Sequence, residues 1–269
     1  MTQTATAAPD LLATIVAAAR RMTEVRRAAT PEATLAAYAS RRRPNGARFV
    51  RALRDSHAPR VIAECKRRSP SRGILRADYR PEEHAVAYVG GGAAAISVLT
   101  EPTFFDGSLD HLAAIRQVVS APLLRKDFIV ERYQVTEAAA YGADAILLIA
   151  GALSPAALRE RLADAAEWGL AALVEIHDRA ELEMASEAGA EVIGVNSRNL
   201  RTLAVQPELH EALAFRLPAH VTAVAESGLR DAADITRLTR AGYHAFLVGE
   251  RLIAEPDPGA ALRALRGKP

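Results

Sequence analysis

The sequence predicts an α/β fold, a single (β/α)₈ barrel preceded by an N-terminal helical extension. Three observations carry that expectation. From Val61 to the C-terminus, eight short apolar runs alternate with longer amphipathic segments, and successive runs end 21 to 34 residues apart, about one strand plus one helix. The runs are near-continuously apolar, as parallel strands covered on both faces by helices require. The length of 269 residues suits a barrel of this kind, which typically takes about 250. A doubly wound open sheet is disfavoured, because no GxGxxG follows the first run and Gly90–Gly92 precedes a strand.

Taken in order, residues 1–60 fall outside the repeat. Leu11–Arg27 and Pro31–Ala39 read as helices, Pro44-Asn45-Gly46 as a turn and Arg48–Arg54 as a third short helix. They are expected to pack on the barrel of residues 61–269 as part of one domain, without a core of their own. The expected strands are Val61–Lys66, Ala94–Thr100, Pro122–Phe128, Ala145–Ala150, Ala171–Ile176, Val192–Ser197, Thr222–Ser227 and Ala245–Glu250. Between them, Ser154 can cap a helix that Pro155 enters, with Leu158, Leu162 and Ala165 along one apolar stripe. Asp178 and Asp231 sit at equivalent starts. Gly142, Gly189 and Gly242 each follow such a stripe, where a helix end wants a residue that tolerates positive φ.

Composition excludes several classes of function. Thirty-four Lys and Arg against 32 Asp and Glu leave a net charge of +2, too balanced for a nucleic-acid binder. The dense arginines at Arg41–Arg43 and Arg67–Arg68 read as solvated surface. A lone cysteine, Cys65, permits no internal disulfide and fits a reducing compartment, so a cytoplasmic location is expected. The seven histidines show neither HxH nor HExxH spacing, so no metal is expected. No apolar run reaches membrane-spanning length, and Leu11–Ala19 has its arginines on the wrong side for a signal peptide.

In a (β/α)₈ barrel the chemistry sits where strands end and βα loops begin. Alternation places Glu64 and Lys66 in phase with Ile62, facing the barrel mouth, while Cys65 faces the helices. Lys126 and Phe128 are in phase with Leu124, and Glu175 with Leu173. Asn196, followed by Arg198, ends the sixth strand and Glu226 the seventh. Two lysines, three glutamates and an asparagine converging on one mouth suit general acid–base chemistry. They would also suit a salt-bridge ring that merely closes the barrel. A group that exchanges protons gains from a pKa near the operating pH, which is the expectation for Glu175. Ser227-Gly228 and Gly249-Glu250 mark the seventh and eighth loops, where barrels commonly bind phosphate through backbone N–H groups.

These strand ends resemble the indole-3-glycerol phosphate synthase family over about residues 60–255, with a looser match in the first 50. The resemblance is carried by Ile62-Ala63-Glu64-Cys65-Lys66-Arg67-Arg68-Ser69-Pro70-Ser71-Arg72-Gly73, by Ser97-Val98-Leu99-Thr100-Glu101 with Phe105-Asp106-Gly107-Ser108, and by Leu124-Arg125-Lys126-Asp127-Phe128. Val174-Glu175-Ile176-His177, Val195-Asn196-Ser197-Arg198-Asn199-Leu200 and Ala225-Glu226-Ser227-Gly228 continue it in order. It implies ring closure, decarboxylation and dehydration of 1-(2-carboxyphenylamino)-1-deoxyribulose 5-phosphate, with no cofactor. Lys126 resembles the general acid on the ketone oxygen and Lys66 the lysine beside the substrate carboxylate. Glu175 resembles the acid or base acting on the hydroxyl and departing water, and Glu64 with Asn196 the pair at the anilino nitrogen. Arg198 and Ser227 resemble substrate-positioning residues, with Leu99, Phe105 and Phe128 lining the ring site. Ser69, Gly228, Gly249 and the adjoining Glu250 resemble the phosphate site. The departures are Asn199, where the family often has Asp, and Asp106, where Asn is common.

Three other readings stand beside it. A phosphoribosylanthranilate isomerase-like sugar-phosphate isomerase would want a Cys/Asp or Asp/Asp pair at the strand ends. A Schiff-base aldolase would use Lys66 or Lys126, and a non-catalytic phosphate-ligand barrel would bind without turnover. The expected partner is the small-molecule substrate alone, on a monomer, with a homodimer as the alternative.

Overall fold

The computed structural model describes residues 10–54 and 59–267. His57 and the first nine residues lie outside the described residues. Eight parallel strands close into a barrel in sequence order: β1 (Arg60–Cys65), β2 (Ala95–Leu99), β3 (Leu123–Lys126), β4 (Ala145–Ile149), β5 (Ala171–Ile176), β6 (Val192–Asn196), β7 (Thr222–Glu226) and β8 (Ala245–Val248). Seven lie within their expected runs, one of them in full and the others shorter by one to three residues, and β1 begins one residue early, at Arg60. The helices between them start as the sequence predicts. Ser154 Oγ accepts from the N–H of Ala157, Asp178 from Glu181 and Asp231 from Ala233 and Asp234. Gly142, Gly189 and Gly242 end their helices at φ of 92°, 83° and 106°. No described helix is long and apolar enough to cross a membrane.

Two features of the loops were not anticipated. Arg68–Ser69 and Gly73–Ile74 pair as a small antiparallel hairpin in the first βα loop. After β2, a single helical turn, Pro102–Phe105, is capped by the buried Glu101, whose carboxylate accepts from the N–H groups of Thr103, Phe104 and Phe105. That cap fixes Phe105 over the barrel mouth.

The extension does more than cover the outside. It folds as α1 (Leu11–Ala29), α2 (Glu32–Arg42) and α3 (Gly46–Arg54). Asn45 is a helix cap, its side chain accepting from the N–H of Arg48. Gly46 touches the barrel floor so closely that a methyl group there would lie 2.3 Å from the Ala171 nitrogen. Phe49 and Leu53 of α3, both fully buried, plug the barrel bottom against Ile62, Ala95, Val192, Val224 and Ala245. Two such side chains contribute about 3–6 kcal/mol of apolar burial. At the opposite end, Leu11 and Ile15 of α1 form part of the wall above the mouth.

The barrel interior is layered, with alternate strands supplying each layer as such barrels do. Alternation and strand register place Ile62, Leu124, Leu173 and Val224 of the odd strands in one apolar layer. Ser97, Leu147, Gly194 and Leu247 of the even strands follow. The next odd-strand layer is Glu64, Lys126, Glu175 and Glu226, charged throughout. Leu99, Ile149, Asn196 and Gly249 rim the top. Glycine at 194 is required by that charged layer, because a methyl group there would come within 2.0 Å of Glu226 Oε1.

Candidate active site at the barrel mouth

The mouth opens into a cleft of about 570 Å³, sized for one small ligand. Every residue that the sequence singled out as a candidate lies in its wall: Glu64, Lys66, Ser69, Leu99, Phe105, Lys126, Phe128, Glu175, Asn196, Arg198, Ser227, Gly228, Gly249 and Glu250. The cleft floor is the charged layer. Lys126 Nζ donates to Glu175 Oε2 at 2.8 Å and lies 3.7 Å from Glu226 Oε2. Lys66 Nζ donates to Glu64 Oε2 at 2.5 Å. Three carboxyl groups thus face two ammonium groups in a largely buried layer, which would carry one negative charge in excess were all three ionised.

The ionisation of the layer follows from that excess. Burial lowers the pKa of Lys126, but Glu175, Glu226 and Glu64 together overcome it, and the ammonium form is held above its usual range. Burial raises the pKa of Glu175, and the charge and hydrogen bond of Lys126 together with the His177 ring 3.4 Å away override it, so Glu175 is held well below the carboxylate range. Glu226 goes the other way. Burial and the adjacent Glu175 carboxylate push it far up, with Lys126 only partly offsetting them. The expectation that Glu175 titrates near the operating pH is therefore corrected. Its pKa is pushed down and that of Glu226 up, with His177 beside Glu175 alone.

The remaining walls are placed by local structure. Phe105 and Phe128 pack directly on each other with ring centroids 6.1 Å apart, so they make one continuous aromatic wall rather than two jaws. Asn196 Oδ1 accepts from the N–H of Arg198, which leaves the amide's donors for the cleft. Beyond it, Arg198–Val205 folds over the mouth and brings in Leu200, Leu203 and Val205. Asn199 only ties this loop, accepting from the N–H groups of Arg201 and Thr202, a role that Asp fills equally well. Asp106 holds Arg67 at 2.5 Å and Arg68 at 3.6 Å, linking the first and second βα loops by charge.

At the seventh strand end, Ser227 and Gly228 are both left-handed, with φ of 63° and 68°. For serine this conformation costs about 1 kcal/mol or more. The Glu226 carbonyl just before them is anchored by the Ser197 N–H and by His210 Nε2 at 3.0 Å. Gly249 serves the acid–base layer directly, since a methyl group there would lie 2.1 Å from Glu64 Oε2. The Glu250 carboxylate turns toward the first and sixth loops, 3.3 Å from Arg72 Nε and 3.5 Å from Arg198 Nη2.

Sequence reasoning counted Glu226 among the converging glutamates without a role of its own, gave none to His177, and missed Leu11 and Ile15. The first two carried a usable signal, because Glu226 is in phase with Val224 and His177 with Glu175. The α1 residues carried none, since nothing local shows that a helix far upstream reaches the mouth.

A family model for indole-3-glycerol phosphate synthase matches residues 12–265. This extends the resemblance past residues 60–255 and takes in the N-terminal helices. A Streptomyces coelicolor protein named indole-3-glycerol phosphate synthase 2 is 49% identical, covering 96% of this chain and 99% of its own length. A Nocardioides protein named indole-3-glycerol phosphate synthase is 52% identical over 77% of this chain and 80% of its own. Among solved structures, 3-hexulose-6-phosphate synthase from Salmonella typhimurium superposes with a TM-score of 0.63 at 14% identity, covering 77% of this chain and 97% of that one. Thiamine phosphate pyrophosphorylase from Pyrococcus furiosus gives 0.61 at 17%, covering 81% and 96%. These two share the fold.

Proposed function

The chain belongs to the indole-3-glycerol phosphate synthase family, and from that premise we propose how the barrel mouth divides the reaction among its residues. The enzyme is a carboxy-lyase of tryptophan biosynthesis, converting 1-(2-carboxyphenylamino)-1-deoxyribulose 5-phosphate to indole-3-glycerol phosphate, carbon dioxide and water. The observation that carries the division is the single ammonium of Lys126 set between the Glu175 and Glu226 carboxyl groups, at 2.8 and 3.7 Å.

In this reading Lys126 gives its proton to the ketone oxygen as the ring carbon bearing the carboxylate bonds to the ketone carbon. The hydroxyl forms where positive charge is already in place, which needs no reorganisation during the step. Carbon dioxide then leaves, its bonding electrons returning to the ring. The hydroxyl departs as water with a proton from the Glu175–Glu226 pair, the proton released from the neighbouring carbon returns to that pair, and one proton taken up from solvent recharges Lys126. Lys66 holds the substrate carboxylate and Glu64 with Asn196 the anilino nitrogen. Phe105, Phe128 and Leu99 flank the ring and exclude water. Arg198 and Ser227 position the chain, and Ser69 with Gly228, Gly249 and the turn at Glu250 receives the phosphate. All of these residues come from one chain, which supports action as a monomer, and the free buried Cys65 supports a cytoplasmic setting.

The assignment of Lys66 is tested with a substrate lacking the ring carboxylate. Lys66→Met is expected to weaken binding of the full substrate by about 1.5–3 kcal/mol, the range for a hydrogen bond to a charged group, and to leave binding of the analogue unchanged. Equal losses for both ligands would remove Lys66 from the carboxylate. A second expectation concerns Gly249→Ala. The added methyl displaces Glu64 from Lys66, and a misplacement of this size costs about 10² in kcat. A raised KM with kcat preserved would return Gly249 to a purely phosphate-binding role.

A further inference from the structure

Glu175 is backed by a second layer that the division of roles above does not use. His177, one residue past the end of β5 and in phase with Glu175, places Nε2 3.4 Å from Glu175 Oε1. Its Nδ1 lies 3.1 Å from Glu181 Oε2, and the same oxygen accepts the His177 backbone N–H at 2.7 Å. Glu181 stands in the first turn of the helix Arg179–Glu187, which Asp178 caps through the Glu181 N–H. The neighbouring 3₁₀ turn Ala150–Ala152 leaves room for this carboxylate. A methyl group on Gly151 would come within 2.5 Å of Glu181 Oε1. Glu175 Oε1, Glu226 Oε1 and His177 Nε2 are buried atoms that make no hydrogen bond among the described residues, and Glu175 is wholly shielded from solvent.

We infer that His177 is a positioning residue, clamped by Glu181 so that its ring holds Glu175 Oε1 in place beside Lys126 and Glu226. The inference rests on Glu175 acting in catalysis. Its physical basis is the charge count of the mouth. Glu175 is faced by Lys126 from β3, Glu226 from β7, Glu64 from β1 and His177 from its own strand. His177 itself is faced by Glu175 and Glu181, while the Asp178 carboxylate is engaged at the helix cap. Two carboxylates beside opposite ring nitrogens favour the imidazolium, in which both nitrogens carry a proton. Burial alone would lower the His177 pKa, and the two glutamates raise it to about 10. The imidazolium places a positive charge between the Glu175 and Glu181 carboxylates. It also breaks the symmetry between Glu175 and Glu226, since it reaches only the first.

The test combines kinetics with an observation that does not depend on turnover. His177→Gln keeps a donor and removes the charge. It is expected to lower kcat by about tenfold or more with KM little changed, and to move the acid limb of the kcat–pH profile upward as Glu175 loses a cation. Glu181→Gln, on the helix and away from the cleft, is expected to shift the profile in the same direction by less. The double variant is expected to lose no more than His177→Gln alone, because the two act as one unit. In parallel, nitrogen-15 NMR of the His177 ring, identified by its disappearance in His177→Gln, should show an imidazolium persisting to about pH 10 in the wild type. In Glu181→Gln it should titrate lower. A histidine titrating near its ordinary 6.5 and unmoved by Glu181→Gln would overturn the inference, as would unchanged kcat and pH profile in either variant, even with a reduced melting temperature. If Glu175→Gln itself left kcat intact, the role of Glu175 would fall, while the ring titration would still report on the clamp.

Discussion

Replacing Lys126 with alanine is expected to reduce kcat by about 10² to 10⁴, the range for loss of a positioned general acid. Lys126 Nζ is the ammonium that bridges Glu175 and Glu226, at 2.8 and 3.7 Å, and it stands in the charged layer under the cleft. The variant also strips a cation from two buried carboxyl groups. Breaking one side of such a pair costs about 3–5 kcal/mol when the other charge stays ionised. Here Glu175 can recover part of that by taking up a proton. The stability loss should therefore be smaller at acid pH than at neutral pH, and kcat must be measured per folded molecule. A loss below about tenfold in kcat at saturating substrate would remove Lys126 from the proton-transfer step.

Glu175→Gln is expected to slow kcat by at least about 10² and barely to alter substrate affinity. The amide keeps the shape but carries no exchangeable carboxyl proton. Because Glu175 is held well below its ordinary value of 4.5, its charge contributes stability that is present above that pH and lost as pH falls through the depressed value. The variant should therefore differ most from wild type in melting temperature at neutral pH and converge with it in strong acid. Its neighbour Glu226, freed of a like charge, should ionise more readily, so the kcat–pH profile should lose or move a limb. Preserved kcat per folded molecule with a reduced melting temperature would make Glu175 only a structural member of a charged ring.

Much of this was legible in the sequence because a parallel barrel imposes local rules. The eight apolar runs, the helix caps at Ser154, Asp178 and Asp231, and the alternation along Glu64–Lys66 and Lys126–Phe128 depend on a few consecutive residues. What was hidden depends on contacts between distant segments. That α3 plugs the barrel floor, and α1 reaches the mouth with Leu11 and Ile15, follows from the shape of the two barrel ends. Gly249 read as a phosphate-loop glycine, and only the side chain of Glu64 from seven strands earlier reveals the second demand on it. The protonation pattern was misread for the same reason. Lys66, Lys126 and Glu64 were counted around Glu175, whereas the weight of His177 depends on Glu181 in a helix whose packing no spacing rule gives.

The most direct measurement follows the purified protein acting on 1-(2-carboxyphenylamino)-1-deoxyribulose 5-phosphate, recording indole absorbance and released carbon dioxide together, with borohydride added to a parallel sample. The account predicts one carbon dioxide for each indole formed, loss of both signals in Lys126→Ala, and no protein adduct after reduction. Tight binding without either product, or a substrate trapped on Lys66 or Lys126 by borohydride, would contradict it.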